Sequence, residues 1–121
     1  MINTDKPKRY DLEERSFRFA KRCADFIREL PKTITNIEYS KQLARSSGSQ
    51  AANYIEANES LSKKDFCLRV KISRKEAKES KFWLRLIDPG EKPGMIPEQQ
   101  ILIQEGEELT KIYGSIVEKS K

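Results

Sequence analysis

The 121-residue sequence contains no histidine, and this absence restricts its chemistry more than any other feature of its composition. Without His, the chain has no Ser-His-Asp or Cys-His nucleophile system and lacks the commonest transition-metal ligand. Carboxylate or lysine chemistry is still open in principle, but no motif indicates either. We therefore expect a protein that is not an enzyme and that has no catalytic residue, no metal and no cofactor.

Cysteines and apolar runs are also scarce. Cys23 and Cys67 lie in helical patterns without a CxxC spacing, which indicates reduced thiols in a reducing compartment. The longest apolar runs span only a few residues, and the first residues, MINTDKPKRYD, are polar and charged. Neither a transmembrane helix nor a secretory signal fits such a pattern, so we expect a cytoplasmic protein without membrane contact.

Glycine and proline are sparse, at five residues each, whereas 36% of the residues are charged. Together with a mean hydropathy of −0.77, this composition favours helices with wide solvated faces over a sheet sandwich. The length suits one domain with a real core. We predict an all-α domain over residues 11–121, preceded by a flexible N-terminal arm over residues 1–10.

The first two helices are predicted from their start signals. Asp11, followed three residues later by a glutamate, predicts the first start, and Pro31 closes that helix. Thr35, again with a glutamate three residues on, predicts the second start. That helix should run to about Asn58.

The remaining helices flank a loop that is rich in turn residues. The third should run from Ser62 to Ile87, a stretch without glycine or proline, and three prolines and two glycines then lie within residues 88–97. Pro97 fits the first turn of a fourth helix. Short connections between long helices favour an antiparallel up-down-up-down four-helix bundle.

The third helix carries three separate faces on a helical wheel. An inward stripe with steps of three and four comprises Phe66, Val70, Ser73, Ala77, Ser80, Leu84 and Ile87. A second apolar group lies well away from this stripe, and a solitary bundle does not need it. We therefore predict a homo-oligomer interface at Leu68, Ile72 and Leu86.

The third face of this helix is basic. Residues 61–88 contain nine Lys or Arg and four Asp or Glu, a net charge of +5, whereas residues 89–121 contain four and six, a net charge of −2. Such a face is either solvated, with the acidic fourth helix of a neighbour as a possible partner, or it contacts nucleic-acid phosphates. The phosphate-contacting residues would be Lys71, Arg74, Lys75, Lys78, Lys81 and Arg85.

Two further features bear on nucleic-acid binding. Arg15, Arg18 and Arg22 in the first helix form a possible second basic patch. Aromatic residues able to stack on bases, such as Tyr10, Phe82 and Tyr113, are better explained as core or interface packing.

The stretch RSSGSQAANYIEANES, residues 45–60, raises a separate question because its serines and Gly48 are poor helix formers. Small residues there and on the third helix predict a tight contact between the second and third helices. Residues at steps of three and four, joined by glutamates of the third helix, predict a structural polar network: Arg45, Ser49, Asn53, Glu56, Glu76 and Glu79. A magnesium-dependent nuclease using Glu76 and Glu79 is a weaker alternative.

The chain resembles a known family in two patterns. Arg45, Ser49, Asn53 and Glu56 match its Arg-x-x-x-Ser-x-x-x-Asn-x-x-Glu pattern, and residues 76–84 match its Glu-x-x-Glu-Ser-x-x-Trp-Leu pattern. The family is that of the four-helix-bundle proteins encoded by intervening sequences of bacterial 23S ribosomal RNA genes. The tail FWLRLIDPGEKPGMIPEQQ is also similar to the accessory proteins of diversity-generating retroelements, which assist a reverse transcriptase.

This resemblance implies a left-handed antiparallel bundle that assembles as a ring-like homopentamer, with nucleic-acid binding proposed for basic relatives and no established enzymatic activity. The chain departs from the family pattern at Gln50, where Ile is frequent, and at Ala57, where Gly is frequent. Two functions therefore remain open. One is phosphate binding to RNA or DNA, and the other is a protein-interaction scaffold or accessory subunit for a nucleic-acid enzyme such as a reverse transcriptase.

Overall fold

The computed structural model describes the backbone of residues 8–121 and the side chains of residues 11–121. This part of the chain is all-α, as predicted, and contains four helices and no strand. The helices are α1 (Lys8–Arg28), α2 (Ile34–Asn58), α3 (Lys63–Leu86) and α4 (Met95–Lys119). Residues 1–7 of the predicted arm lie outside the described residues.

The helix starts agree with the sequence prediction at α3 and differ at α1 and α2. Helix α1 begins at Lys8, three residues before the predicted start. At α2 the predicted cap is wrong, because the Thr33 hydroxyl, rather than that of Thr35, accepts a hydrogen bond from the Asn36 backbone amide. At α3 the predicted cap is confirmed, since the Ser62 hydroxyl accepts from the Asp65 amide at 3.0 Å.

The loop between α3 and α4 uses two glycines in the left-handed region. Gly90 has φ 76° and packs directly against the Pro31 ring, and Gly94 has φ 87° at the start of α4. Both conformations favour glycine because it has no Cβ. Pro97 lies in the first turn of α4, as predicted, where its missing amide hydrogen is not needed.

Each helix packs against two others: α2 contacts α1 and α3, and α4 contacts α3 and α1. The four helices enclose one apolar core. The predicted inward stripe of α3 is confirmed, because Val70, Ser73, Ala77, Ser80, Leu84 and Ile87 are buried and Phe66 packs partly buried against the same core.

A buried glutamine joins three helices inside this core. The Gln50 side-chain amide donates to the Ser16 carbonyl of α1 at 2.8 Å, and its Oε1 accepts from the Tyr113 hydroxyl of α4 at 2.6 Å. Buried polar groups need such partners, because an unsatisfied group costs about 1–3 kcal/mol. The departure from the family pattern at Gln50 is therefore a fully bonded core position, and Tyr113 is a core residue, as expected.

The serines of α2 have the predicted packing role, whereas Gly48 does not. Ser46 is buried against α3, where its hydroxyl shares a hydrogen bond of 2.8 Å with the Ser80 hydroxyl. Gly48 is exposed, and a Cβ placed on it would meet no atom of a neighbouring residue within 4 Å. The prediction that close packing requires Gly48 is thus wrong for the single chain, since its helical position faces outward.

Candidate nucleic-acid interface

The basic face predicted on α3 is present on the surface. Five of the six predicted residues are exposed, and none of these five forms an ion pair within the described part of the chain: Lys71, Arg74, Lys75, Lys78 and Arg85. They follow one another at steps of three, one, three and seven residues, so they lie on one side of α3. This row of cations without an ion pair, which we call the α3 basic row, carries five positive charges.

Lys81 is the member of the predicted set that differs. Its ammonium group forms an ion pair with Glu107 of α4, and the side chain is partly covered. The hydrogen bond from Lys81 also lowers the pKa of the Glu107 carboxyl. Lys81 is thus committed to a contact within the chain.

Each of the three predicted arginines of α1 is paired with a carboxylate. Arg15 donates from Nε to Glu105 at 2.7 Å and from Nη2 to Glu108 at 2.8 Å. Arg22 binds Glu98 in a two-pronged contact at 2.8 and 2.9 Å. Arg18 donates to Glu14, four residues earlier on α1, at 3.0 Å.

The second basic patch predicted on α1 is therefore not a set of free cations. The hydrogen bond from Arg15 to Glu105 raises the pKa of the guanidinium, as expected for a charge held by an opposite one. The sequence had indicated that the acidic fourth helix of a neighbouring subunit could match the basic face of α3. Within the chain, α4 supplies carboxylates to α1 and to Lys81. The pKa of its Glu118 carboxyl is lowered by a hydrogen bond from Lys121 and also by the charges of Arg74 and Lys71.

The predicted polar network divides into two parts, and the first part links α2 to α3. Arg45 donates from Nη1 to both oxygens of Glu76, at 3.2 and 3.3 Å, and from Nη2 to Glu79. The Trp83 indole also donates to Glu79, at 2.9 Å. Burial acts to raise the pKa of the Glu79 carboxyl, but the hydrogen bonds from Trp83 and Arg45 outweigh it and lower that pKa below its ordinary value of 4.5.

The second part of the network lies nearer the end of α2. Asn53 donates to the Ser49 hydroxyl and carbonyl, both at 3.0 Å, and its Oδ1 accepts from Arg69 of α3 at 3.0 Å. Glu56 does not join Arg45, contrary to one predicted option; its backbone carbonyl accepts from the Ser60 hydroxyl instead. The spacing along α2 places Glu56 on the same side of the helix as Arg45, but the Arg45 side chain bonds to glutamates of α3 instead.

Sequence reasoning missed Arg69 and Trp83 as members of this network, and it missed the carboxylates of α4 as partners of α1. Helical spacing gave no signal for Arg69 or for the α4 carboxylates, because these contacts cross from one helix to another. Trp83 bonds Glu79 four residues earlier on α3, so its spacing was a signal that could have found it. The −2 net charge of residues 89–121 was the available indication that α4 could neutralise a basic neighbour.

The nuclease alternative finds little support in this arrangement. Glu76 and Glu79 both accept hydrogen bonds from Arg45, so a guanidinium lies where a cation would have to bind. Among the described residues, no group of three or more His, Cys, Asp or Glu side chains is placed to hold a metal ion.

The second apolar group of α3 faces outward. Leu68 is 56% exposed and Leu86 is 44% exposed, while Ile72 is half-buried. None of them belongs to the core cluster of the described chain. These side chains are available to a partner, as the predicted interface requires.

The four described helices also bear on the membrane question. None of them is long and apolar enough to cross a lipid bilayer.

The described part of the chain has four helices, an inward apolar core and an outward basic row. These features place it in the class of helical bundle proteins with a charged surface. The comparison with protein families is more specific. Residues 8–115 match the family described as 23S rRNA-intervening sequence protein, and the chain belongs to this family. The family recognised from the sequence patterns is therefore confirmed.

A solved structure supports the same assignment. A protein of unknown function from the S23 ribosomal protein family of Bacteroides thetaiotaomicron VPI-5482 has a similar fold, with a TM-score of 0.73 and 27% sequence identity. The alignment covers 87% of this chain and 96% of that one. No curated protein matches the chain significantly.

Proposed function

We propose that this chain is a non-enzymatic, oligomeric bundle protein that binds RNA or DNA through its phosphates. The observation that carries this proposal is the α3 basic row, whose exposed cations form no ion pair among the described residues. Lys and Arg that are already neutralised gain little from a phosphate, whereas unpaired ones release condensed counterions when they bind it. No cofactor is needed, and the protein acts in the cytoplasm.

The binding mode follows from the chemistry of the row. Lysines such as Lys71, Lys75 and Lys78 are flexible point charges that track a phosphate backbone without fixing a particular base. Phosphate contacts set position and affinity but carry no sequence information. The proposed binding is therefore strong at low salt and tolerant of sequence.

The proposal includes an antiparallel up-down-up-down bundle that assembles as a ring-like homopentamer. In its support, contacts between α1 and α4 run in opposite order, from Arg15 with Glu105 to Arg22 with Glu98. The outward side chains of Leu68 and Leu86 supply apolar surface for subunit contacts. A ring would present several copies of the basic row to one nucleic-acid strand and raise avidity without new contacts.

A salt titration of nucleic-acid binding tests the phosphate contacts. Binding of a labelled single-stranded RNA of mixed sequence is measured by fluorescence anisotropy at several salt concentrations. The logarithm of the association constant should fall linearly with the logarithm of the salt concentration, with a slope of about −0.7 for each phosphate contact. The triple variant Lys71→Glu, Lys75→Glu, Lys78→Glu should lose binding by more than about a hundredfold, because it removes attraction and adds repulsion.

The matched control changes three exposed lysines elsewhere. The variant Lys21→Glu, Lys32→Glu, Lys41→Glu alters the net charge by the same amount on α1, its following loop and α2. It should keep most of the affinity. Equal losses in both triple variants would contradict the proposed surface, and negligible affinity of the unmodified protein at any salt would favour the scaffold function instead.

A mass measurement in solution tests the assembly separately. Light scattering at micromolar concentration should give the mass of an oligomer, and Leu68→Lys with Leu86→Lys should reduce it to that of the monomer. A monomeric unmodified protein would contradict the assembly while leaving the phosphate contacts to be judged by the titration.

A further inference from the structure

An exposed aromatic ring interrupts the basic surface of α3. Phe82 is 49% exposed. Lys78 lies four residues before it and Arg85 three residues after it, so cations flank the ring one turn above and one turn below. The sequence had favoured core or interface packing for this residue, and the ring does not belong to the core cluster.

The ring borders an open groove between α3 and α4. The groove has a volume of about 350 Å³ and is lined by Lys78, Lys81, Phe82, Arg85, Glu107 and Thr110. Its one carboxylate, Glu107, is paired with Lys81 and with Lys111 at 3.4 Å. Lys78 and Arg85 therefore leave the groove with a positive charge.

The next residue of α3 packs against the ring, and α2 in turn supports that residue. Phe82 packs edge-on against Trp83, with ring centroids 4.9 Å apart and an interplanar angle of 70°. Trp83 is in turn stacked on Tyr39 of α2 at 5.8 Å, and its indole donates to Glu79, which Arg45 binds. Trp83 is thus a positioning residue that fixes Phe82 without contacting the groove itself.

We infer that Phe82 is a stacking platform for an unpaired nucleobase, so that the nucleic acid bound by the α3 basic row is single-stranded. This inference rests on the proposed phosphate binding and adds the class of nucleic acid to it. An exposed ring beside cations matches the way in which single strands are held, with the backbone on the charges and bases on aromatic faces. In a duplex the bases are stacked on one another and paired, and their faces cannot reach such a ring.

The test compares two probes that differ only in their bases. One is a labelled single-stranded DNA of mixed sequence, and the other is a chain of the same length and phosphate spacing made of abasic sites. The unmodified protein should bind the probe with bases more tightly. Phe82→Leu, which keeps an apolar side chain, should weaken binding to that probe by about tenfold and leave binding to the abasic probe unchanged.

Phe17→Leu is the matched control, because Phe17 is a 53% exposed phenylalanine on α1, where the arginines are paired. It should not change binding to either probe. Light scattering accompanies each measurement. If Phe82→Leu leaves both affinities unchanged, the stacking inference is wrong. If the variant changes only the oligomer mass, Phe82 is an interface residue instead.

The two proposals fail in different ways. If the unmodified protein binds neither probe, phosphate binding itself is wrong. If it binds both probes with equal affinity, phosphate binding stands and stacking fails. Equal affinity for a duplex and a single strand of the same sequence would also overturn the inference.

Discussion

Helices α1 and α3 both carry rows of basic side chains, but the two rows have different neighbours. On α1, Arg15 and Arg22 form ion pairs with carboxylates of α4, whereas Lys71, Lys75 and Lys78 on α3 form none among the described residues. Composition cannot distinguish these rows. Whether a cation stabilises the fold or remains available to a ligand is decided by the residues that the next helix places opposite it.

The largest change in nucleic-acid binding is expected when the α1 arginines lose their carboxylate partners and so become unpaired like the cations of the α3 basic row. The variant Glu98→Gln, Glu105→Gln, Glu108→Gln removes the partners of Arg15 and Arg22 and keeps similar side-chain shapes. Two freed arginines should add phosphate contacts, so the salt dependence of single-stranded RNA binding should steepen by about 1.4. If circular dichroism shows a folded protein and the slope of the anisotropy titration is unchanged, ion pairing is not what keeps the α1 arginines from contacting phosphates.

The free energy of unfolding should depend on the α1 row more than on the α3 basic row. Arg15→Met removes contacts that join α1 to α4 and should lower the free energy of unfolding by about 1 kcal/mol, the upper range for a partly exposed pair. Lys75→Met removes no ion pair and should change it by less than about 0.5 kcal/mol. Urea denaturation followed by circular dichroism measures both, and equal losses would break the distinction between the rows.

A finer comparison lies within α3 itself. Lys81 is paired with Glu107, whereas Lys78, one turn earlier on the same helix, is exposed without such a partner. Lys78→Met should make the salt dependence of RNA binding shallower by about 0.7, and Lys81→Met should leave it nearly unchanged. If Lys81→Met has the larger effect, its ion pair opens on binding and the geometry of the free protein is a poor guide.

The smallest effect concerns the contact between α2 and α3 in acid. Because hydrogen bonds from Trp83 and Arg45 hold the pKa of Glu79 below 4.5, the ionised carboxyl stabilises the fold above that pH. This contribution should be lost as the pH falls through the lowered pKa. Denaturation midpoints measured across this range should fall less steeply for Glu79→Gln, and identical pH profiles would show that Glu79 contributes nothing.

Much of the fold was predictable because its signals are local. Ser62 caps α3 through the amide three residues away, Pro97 occupies the first turn of α4, and the steps of three and four from Val70 to Leu84 identify the buried stripe. Each of these depends on residues within one or two turns of a single helix. Spacing along the chain therefore contains the necessary information.

The site was predictable only in part. The face of α3 that carries Lys71 and Lys78 follows from helical geometry, but the pairing of Lys81 does not. Gly48 is a second case in which local sequence was not enough. The small residues around it indicated close packing, but a Cβ placed at its position on α2 would meet no neighbouring atom. In both cases the answer depends on which residue of another helix lies opposite.

By itself, the sequence determined four helices, their inward faces, the family and the concentration of positive charge on α3. Only the tertiary structure decided which cations are neutralised, which half of the polar network Arg45 joins, and that Phe82 lies exposed between Lys78 and Arg85. The physical reason is range. Helix formation and burial patterns arise from neighbours in the chain, whereas ion pairing and exposure depend on distances between helices that are far apart in sequence.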